Sequence, residues 1–497
     1  MFRTSLPSQR RCLMIPLVAW SMAACGAFGE VSRAAEPASD AELRASALAG
    51  LKKAATYFVK DVATEGGYLY RYSADLSRRE GERKASATTV WVQPPGTPSV
   101  GLAMLQAWEV TGDEFYLDAA HQAGRALVQG QLLSGGWDYE INFDPAERAK
   151  KAYRVSPNNP QGMNVTTLDD NTTQEALRLL MRLDRALVAK GQPDASIREC
   201  IDYALASLLA TQYPNGAWPQ RYSQPPNAAD FPVLPASYPN SWDRTWSGKK
   251  YNAHYTFNDN ALDDVIDVLL EAARLYDAPK YRAAAEKGGD FILLAQMPDP
   301  QPAWSQQYDA EMHPAWARKF EPPSVTGGES QSIMLMLLDL YRETGKPKYL
   351  EPIPRALTYL EASRLPDGQM ARFYELKTNK PLYFTRDYQL TYSDSDMPTH
   401  YSFKLGSRTL DRIRREYDKL RATPPEKLAK PKVSRASAET IARATAALAA
   451  LDDRGRWIEQ GQLKTAPGSG GDEPILRSDT FIANAKALCN FLATKPK

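Results

Sequence analysis

The sequence predicts an all-α fold: an α/α toroid, an incomplete barrel of helical hairpins with Gly/Trp/Asp-rich loops around a cleft. Three observations predict it. Apolar residues recur at offsets of three, four and seven in paired segments, which is the helical period. Each pair ends in a loop rich in Gly, Trp, Asp or Asn. The pairs also repeat at near-constant spacing, with 81 positions from Gln131 to Gln212 and 84 from Gln212 to Gln296. Helical pairs of this kind cannot bury their apolar faces alone and must stack on neighbours.

Taken in order, residues 1–35 read as an export signal. Arg3, Arg10 and Arg11 give a basic start, Leu13–Phe28 an apolar middle, and Ser32-Arg33-Ala34 a small-residue cleavage pattern. The apolar stretch is short for a stable span, so a secreted or periplasmic protein is expected. A rival end at Met22-Ala23-Ala24-Cys25 would make Cys25 a lipoprotein cysteine. Residues 36–420 form the expected toroid domain. Its first hairpin carries Val100, Met104, Ala107 and Trp108, turns at Thr111-Gly112-Asp113, and continues through Tyr116, Ala120 and Leu127 to Gly135-Gly136-Trp137. The second runs from Ala176, Leu180 and Leu183 through Tyr203 and Leu208 to Gly216-Ala217-Trp218. The third places Leu262, Val265, Ile266, Leu269 and Ala273 on one face, and the fourth Ile333, Leu337, Leu340 and Tyr341 before Thr344-Gly345. A Pro-rich insertion, 221–250, separates hairpins two and three. From 421 to 497 the expectation is a Lys/Pro-rich connector, Ala422–Val433, and helices packing on the toroid.

With 61 Lys and Arg against 59 Asp and Glu, the net charge is +2, which removes the broad basic footprint of a nucleic-acid binder. No run after the N-terminus is long enough to cross a membrane, and a monomer is the expectation. Ten Trp and 25 Tyr suit sugar rings and cores alike. Cys200 and Cys489 form no metal pattern, and the four histidines fall at no metal-ligand spacing. His254 and His313 lie near loops where they could touch a substrate. No phosphate loop, nucleophile elbow or zinc signature occurs.

Two helix starts are alike: Thr167-Leu168-Asp169-Asp170-Asn171 and Thr256-Phe257-Asn258-Asp259-Asn260. Asp and Asn before an apolar run are good helix caps. Doubled at the same point of two hairpins, they would also face a shared cleft. Carboxylates meeting there, with no His or Cys nearby, suit a hard oxygen-seeking cation such as Ca2+. Trp316-Ala317-Arg318-Lys319-Phe320-Glu321 is too polar and Pro-flanked for a helix. The stretches Arg372–Leu376 and Lys380–Tyr388 alternate as a short hairpin does. Asp138 and Glu140 offer a pair of carboxylates for general acid and base chemistry.

Together these segments resemble polysaccharide lyase family 10, the pectate lyases. The matching stretches are Thr167–Asp170, Gln212–Gln220, Thr256–Ala261, Trp316–Arg318 with Glu321–Ser324, and Tyr374–Leu376 through Arg386-Asp387, in the family's order. The resemblance implies cleavage of polygalacturonate by Ca2+-assisted β-elimination. It places Arg318 at the catalytic base and Asp169, or neighbouring Asp170, with Asp259 at the calcium. Arg386 falls on a substrate-contacting arginine, and Lys319, Trp218, Asn258 and Asp309 are expected to bind substrate as well. Departures are Gly216-Ala217-Trp218 for Gly-Gly-Trp, the Arg-Lys-Phe-Glu order of the arginine loop, Tyr388 for a glycine, and the 221–250 insertion.

The chemistry asks for such residues. The C5 proton of a galacturonate comes off only if the carbanion spreads into a neutralised carboxylate, a Lewis-acid task for Ca2+. Arg386 would steady the developing charge. A guanidinium rarely loses its proton in water, so Arg318 as base predicts an alkaline optimum, with Lys319 as fallback. Two rival readings stand beside this one: a toroid glycoside hydrolase using carboxylates such as Asp138 and Asp259, and a non-catalytic binder of acidic polysaccharide.

Overall fold

In the computed structural model, residues 39–155, 159–423, 435–465 and 471–496 are described. The expected export segment with Cys25, and most of the connector after Ala422, lie outside them. The helices are α1 (Asp40–Tyr57), α2 (Thr97–Thr111), α3 (Glu114–Gly130), α4 (Pro145–Arg148), α5 (Thr172–Ala189), α6 (Ala195–Ala210) and α7 (Ala261–Tyr276). They continue as α8 (Pro279–Leu294), α9 (Glu329–Thr344), α10 (Ile353–Ala362), α11 (Arg408–Ala422), α12 (Ala438–Ala449) and α13 (Ser478–Leu492). None of them is long and apolar enough to cross a membrane.

The helices pair as hairpins, α2 on α3, α5 on α6, α7 on α8 and α12 on α13. Helices of neighbouring pairs also touch, in the order α13, α2, α5, α7, α9, α11, which gives the curved row of an α/α toroid. α13 reaches its place between α1 and α2 because Glu473–Arg477 joins the Arg71–Ser73 strand, Tyr72 opposite Leu476. Of the C-terminal helices, α12 packs on α13 and α1, and α13 on α1 and α2, all within one unit, Asp40–Lys497.

The repeat has a hydrogen-bonding cause. Gln131 donates to Gly135 O and Cys200 O, Gln212 to Gly216 O and Ala284 O, and Gln296 to Pro302 O and Pro352 O. Each glutamine thus ties its own loop to a helix, or to the start of one, further along the chain and gives partners to carbonyls that are buried at Gln131 and half-buried at Gln212 and Gln296. The tryptophans repeat as well. Indole Nε1 of Trp137, Trp218, Trp304 and Trp457 donates to Leu127, Leu208, Ile292 and Ala447 O, near the end of a preceding helix. Trp218 is 1% exposed, so this expected sugar platform is a core residue. Its ring pays for its burial by capping a helix end.

Short antiparallel strands sit at the loop ends. Thr166–Thr167 pairs with Arg221–Tyr222, and Tyr255–Thr256 with Gln307–Tyr308. Phe373–Glu375 pairs with both Pro381–Phe384 and Ser324–Thr326, so the alternating stretch is indeed a hairpin. Beyond the Arg221–Tyr222 strand, the 221–250 insertion holds a 3-10 turn, Ala228–Asp230, and lies across the loop end through Ala236 N to Leu294 O and Ser237 N to Met312 O.

Candidate active site

Two turns build the site. Asp169–Asn171 and Asn258–Asn260 each follow a two-residue strand and precede a long helix, α5 or α7. Thr167 and Thr256 accept from Asp169 N and Asn258 N through their hydroxyls, at 3.2 and 3.1 Å. The next two residues are left-handed in both turns: Asp170 and Asn171 at φ 50° and 57°, Asp259 and Asn260 at 49° and 58°. Asp and Asn tolerate that backbone better than most side chains, which is why the turns read Asp-Asp-Asn and Asn-Asp-Asn. By position Asp170 matches Asp259, and Asp169 matches Asn258.

The turns pack against each other, and one carboxylate oxygen from each of Asp169, Asp170 and Asp259 lies within 4.8 Å of the others. Asp169 is held from outside by Tyr139 Oη at 2.7 Å and Gln220 Nε2 at 2.9 Å. Arg221 donates to Tyr139 Oη at 2.7 Å and stands 3.5 Å from Asp169. Gln93 Nε2 bonds Asp170 Oδ2 at 2.9 Å and Glu82 at 3.1 Å. Burial raises the Asp170 pKa to about 7, helped by Asp169, Asp259 and Glu82 and opposed by Arg318. Asp259 reaches solvent, yet its pKa is raised too, first by the protein packed around it and then by Asp169, with Arg318 opposing. The cluster is short of positive charge. Three carboxylate oxygens with no nitrogen or sulfur donor match a hard cation.

A polar chain leads from the cluster to Arg318. Asn258 donates to Asp259 and accepts from Gln306, which bonds Glu321 Oε1 at 2.7 Å. Glu321 is 1% exposed and takes Arg318 N at 3.0 Å, Arg318 Nε at 2.8 Å, Arg318 Nη2, and Tyr401 Oη at 3.2 Å. Burial works against the Arg318 charge, but the Glu321 hydrogen bonds and charge outweigh it. Tyr401 and Asp259 add to them, so the guanidinium pKa is held above its ordinary value. Arg318 is thus clamped by Glu321 in a setting that favours its charged form.

The other expected residues are scattered around this core. Lys319 is exposed, its Nζ 3.4 Å above the Tyr388 ring. Tyr388 in turn packs on Phe320, ring centroids 5.8 Å apart and tilted by 32°. Arg386, with 73% of its side chain exposed, pairs with Asp396 at 3.3 Å and joins none of the cluster's hydrogen bonds among the described residues. Asp309 pins its own loop by accepting from His313 N at 2.9 Å. Asp138 is tied to Lys151 at 2.6 Å and Glu140 to Arg83 at 3.2 Å, so both expected hydrolytic carboxylates are engaged in ion pairs. His254 lines a crevice with Gln220, Tyr251, Asn258 and Glu321, where burial lowers its pKa. His313 stays beside Asp309 at 3.9 Å. Sequence reasoning gave no role to Tyr139, Gln93, Arg221, Gln306 or Glu321. Only Glu321 carried a signal, its place in the arginine loop.

Residues 131–370 match the family described as pectic acid lyase. No curated protein matches the chain. Among solved structures, a mutant of family 10 polysaccharide lyase from Cellvibrio cellulosa in complex with trigalaturonic acid is 20% identical. The match covers 65% of this chain and 98% of that one, with a TM-score of 0.45. A D-mannose isomerase is 14% identical over 92% of this chain and 99% of that one, also at 0.45. The GH76 alpha-mannanase of Bacteroides thetaiotaomicron is 10% identical over 92% and 96%, at 0.40. At such identities and scores these likenesses assign no activity.

Proposed function

We propose that this chain, whose residues 131–370 belong to the pectic acid lyase family, cleaves polygalacturonate by calcium-assisted β-elimination. The coarser statement, a polysaccharide lyase, follows from the family. The observation that carries the finer one is the convergence of Asp169, Asp170 and Asp259 from two successive hairpins to within 4.8 Å, joined through Asn258, Gln306 and Glu321 to Arg318.

Asp169, Asp170 and Asp259 would hold the cation, and their mutual repulsion is what a cation relieves. Bound Ca2+ would neutralise a uronate carboxylate and so acidify the C5 proton beside it. The chain's own groups do the rest. Tyr139, Gln220 and Gln93 orient the carboxylates, as outer partners of metal ligands do. Arg318 is the proposed base. Glu321 keeps it charged, so the neutral form is reached only as pH rises, and turnover should climb into the alkaline range. Lys319, one residue on, is the fallback base. Arg386 would meet a uronate only if its turn, marked by Tyr388 against Phe320, lies beside the bound polymer. The engaged states of Asp138 and Glu140 give no support to a hydrolase. We place the reaction outside the cytoplasm, secreted or periplasmic and carried out by a monomer, on the strength of the substrate and the expected export segment.

Mass spectrometry of the products from polygalacturonate tests this. Each cut by elimination leaves an unsaturated non-reducing end on one of its two fragments, which is lighter by one water than the corresponding hydrolysis product. Saturated fragments alone would overturn the reading.

A further inference from the structure

The 221–250 insertion is bolted to the arginine loop by two reciprocal tryptophan bonds. Trp246 Nε1 donates to Ala317 O at 2.7 Å, the residue before Arg318, and Trp316 Nε1 donates to Asp243 O at 2.8 Å. A loop that only had to bridge two hairpins needs neither bond. Large aromatic side chains nevertheless remain open here: Trp246 is 39% exposed and Tyr392 is 47% exposed. Cations stand among them. Arg244 lies 4.5 Å over the Trp242 ring, donates to Tyr392 Oη at 3.1 Å and pairs with the buried Glu375. Lys380 lies 5.3 Å over Tyr392. Between Trp242 and Lys250 the charged residues are Asp243, Arg244, Lys249 and Lys250, all exposed, so cations outnumber anions three to one.

Open aromatic faces beside exposed cations match one ligand chemistry, a sugar ring that carries a carboxylate. The ring's C–H face lies on the indole, and its charge meets the lysines and the arginine. Continuity with the arginine loop fixes which sugar this is. We propose that Trp246, with Tyr392 and Arg244, forms an outer binding site for a uronate residue of the same acidic polymer, next to the catalytic groove. This rests on the function proposed above. The insertion then lengthens the groove, and the enzyme grips long chains through a unit remote from the bond being cut.

Two substitutions separate gripping from anchoring. Trp246→Ala removes both the ring and the bond to Ala317, whereas Trp246→Phe keeps a ring and loses only the bond. For Trp246→Ala we expect KM on polygalacturonate to rise about tenfold with kcat falling less than about twofold, the loss of one stacked ring. Trp246→Phe should hold KM within about twofold. Retardation in native gels containing polygalacturonate, run with a chelator, should weaken for the Ala variant alone. An unchanged KM in Trp246→Ala would overturn the proposal. So would equal losses in both variants, expressed in kcat, since the indole would then serve only to brace Arg318. The two readings fail separately: retardation that depends on Trp246 without any unsaturated product keeps the outer site and removes the lyase. Unsaturated product with retardation indifferent to Trp246 does the reverse.

Discussion

Acidification should dismantle the cation site through Asp170. Two carboxylates 4.8 Å apart repel by roughly 3.5 kcal/mol at an effective dielectric of about 20. The rise of the Asp170 pKa from 3.8 to about 7 corresponds to about 4 kcal/mol against its charged form. Burial is the larger cause of that rise and the neighbouring carboxylates add to it, so near pH 7 Asp170 of the empty cluster holds its proton about half the time, and more fully below. A cation must displace it. Affinity for Ca2+ should therefore fall about tenfold per pH unit below about 7 and level off above it. The stability of the empty protein moves the other way. Because the folded-state pKa lies above the unfolded value, the fold binds the extra proton between about 4 and 7 and loses stability as pH rises through that window. Asp170→Asn removes the titrating group, so it should stabilise the empty protein above about pH 7 while weakening cation binding. Calorimetric titration with Ca2+ in two buffers of different ionisation enthalpy reads both quantities. About one proton should be released per cation near pH 6, and almost none near pH 9. Affinity that stays flat across this range, with no proton release, would refute the reasoning.

Three further outcomes follow from single side chains. Arg318→Gln, which keeps an amide donor for Glu321, should lower kcat by about 10²–10⁴-fold with circular dichroism unchanged, and near-normal turnover would remove Arg318 as base. Tyr139→Phe takes away the hydroxyl on Asp169 Oδ2 and should weaken Ca2+ about tenfold or more by calorimetry. Gln131→Ala takes the side-chain partner from the buried Gly135 O and Cys200 O and from the half-buried Arg154 Nε, so urea unfolding should show a loss of about 2–4 kcal/mol.

The toroid was legible because its repeat is written in side chains with a fixed task. Gln131, Gln212 and Gln296 recur at near-constant spacing because each ties one loop to a later helix. The doubled turns were legible because a left-handed backbone at Asp170 and Asp259 selects Asp and Asn. What stayed hidden was non-local. Tyr139 and Gln93 reach the acidic cluster from other hairpins, and no periodicity announces them. The Glu321 clamp on Arg318 is three residues away in sequence, but its depth and its link through Gln306 to Asn258 exist only in the fold. α13 enters the ring through strand pairing with residues some four hundred positions earlier, which helical spacing cannot report. Trp218 shows the limit of composition: a buried helix-capping indole and an open sugar platform look the same in a count.

The claim on which the account turns is that a cation held by Asp169, Asp170 and Asp259 makes a ring proton of an acidic sugar removable. The ultraviolet absorbance of unsaturated uronate, followed during incubation with polygalacturonate, tests it most directly. Absorbance should grow with Ca2+, stop with a chelator, return when Ca2+ is restored, and be lost in Asp259→Asn. Absorbance indifferent to chelator and to Asp259→Asn, or reducing ends that accumulate without absorbance, would contradict it.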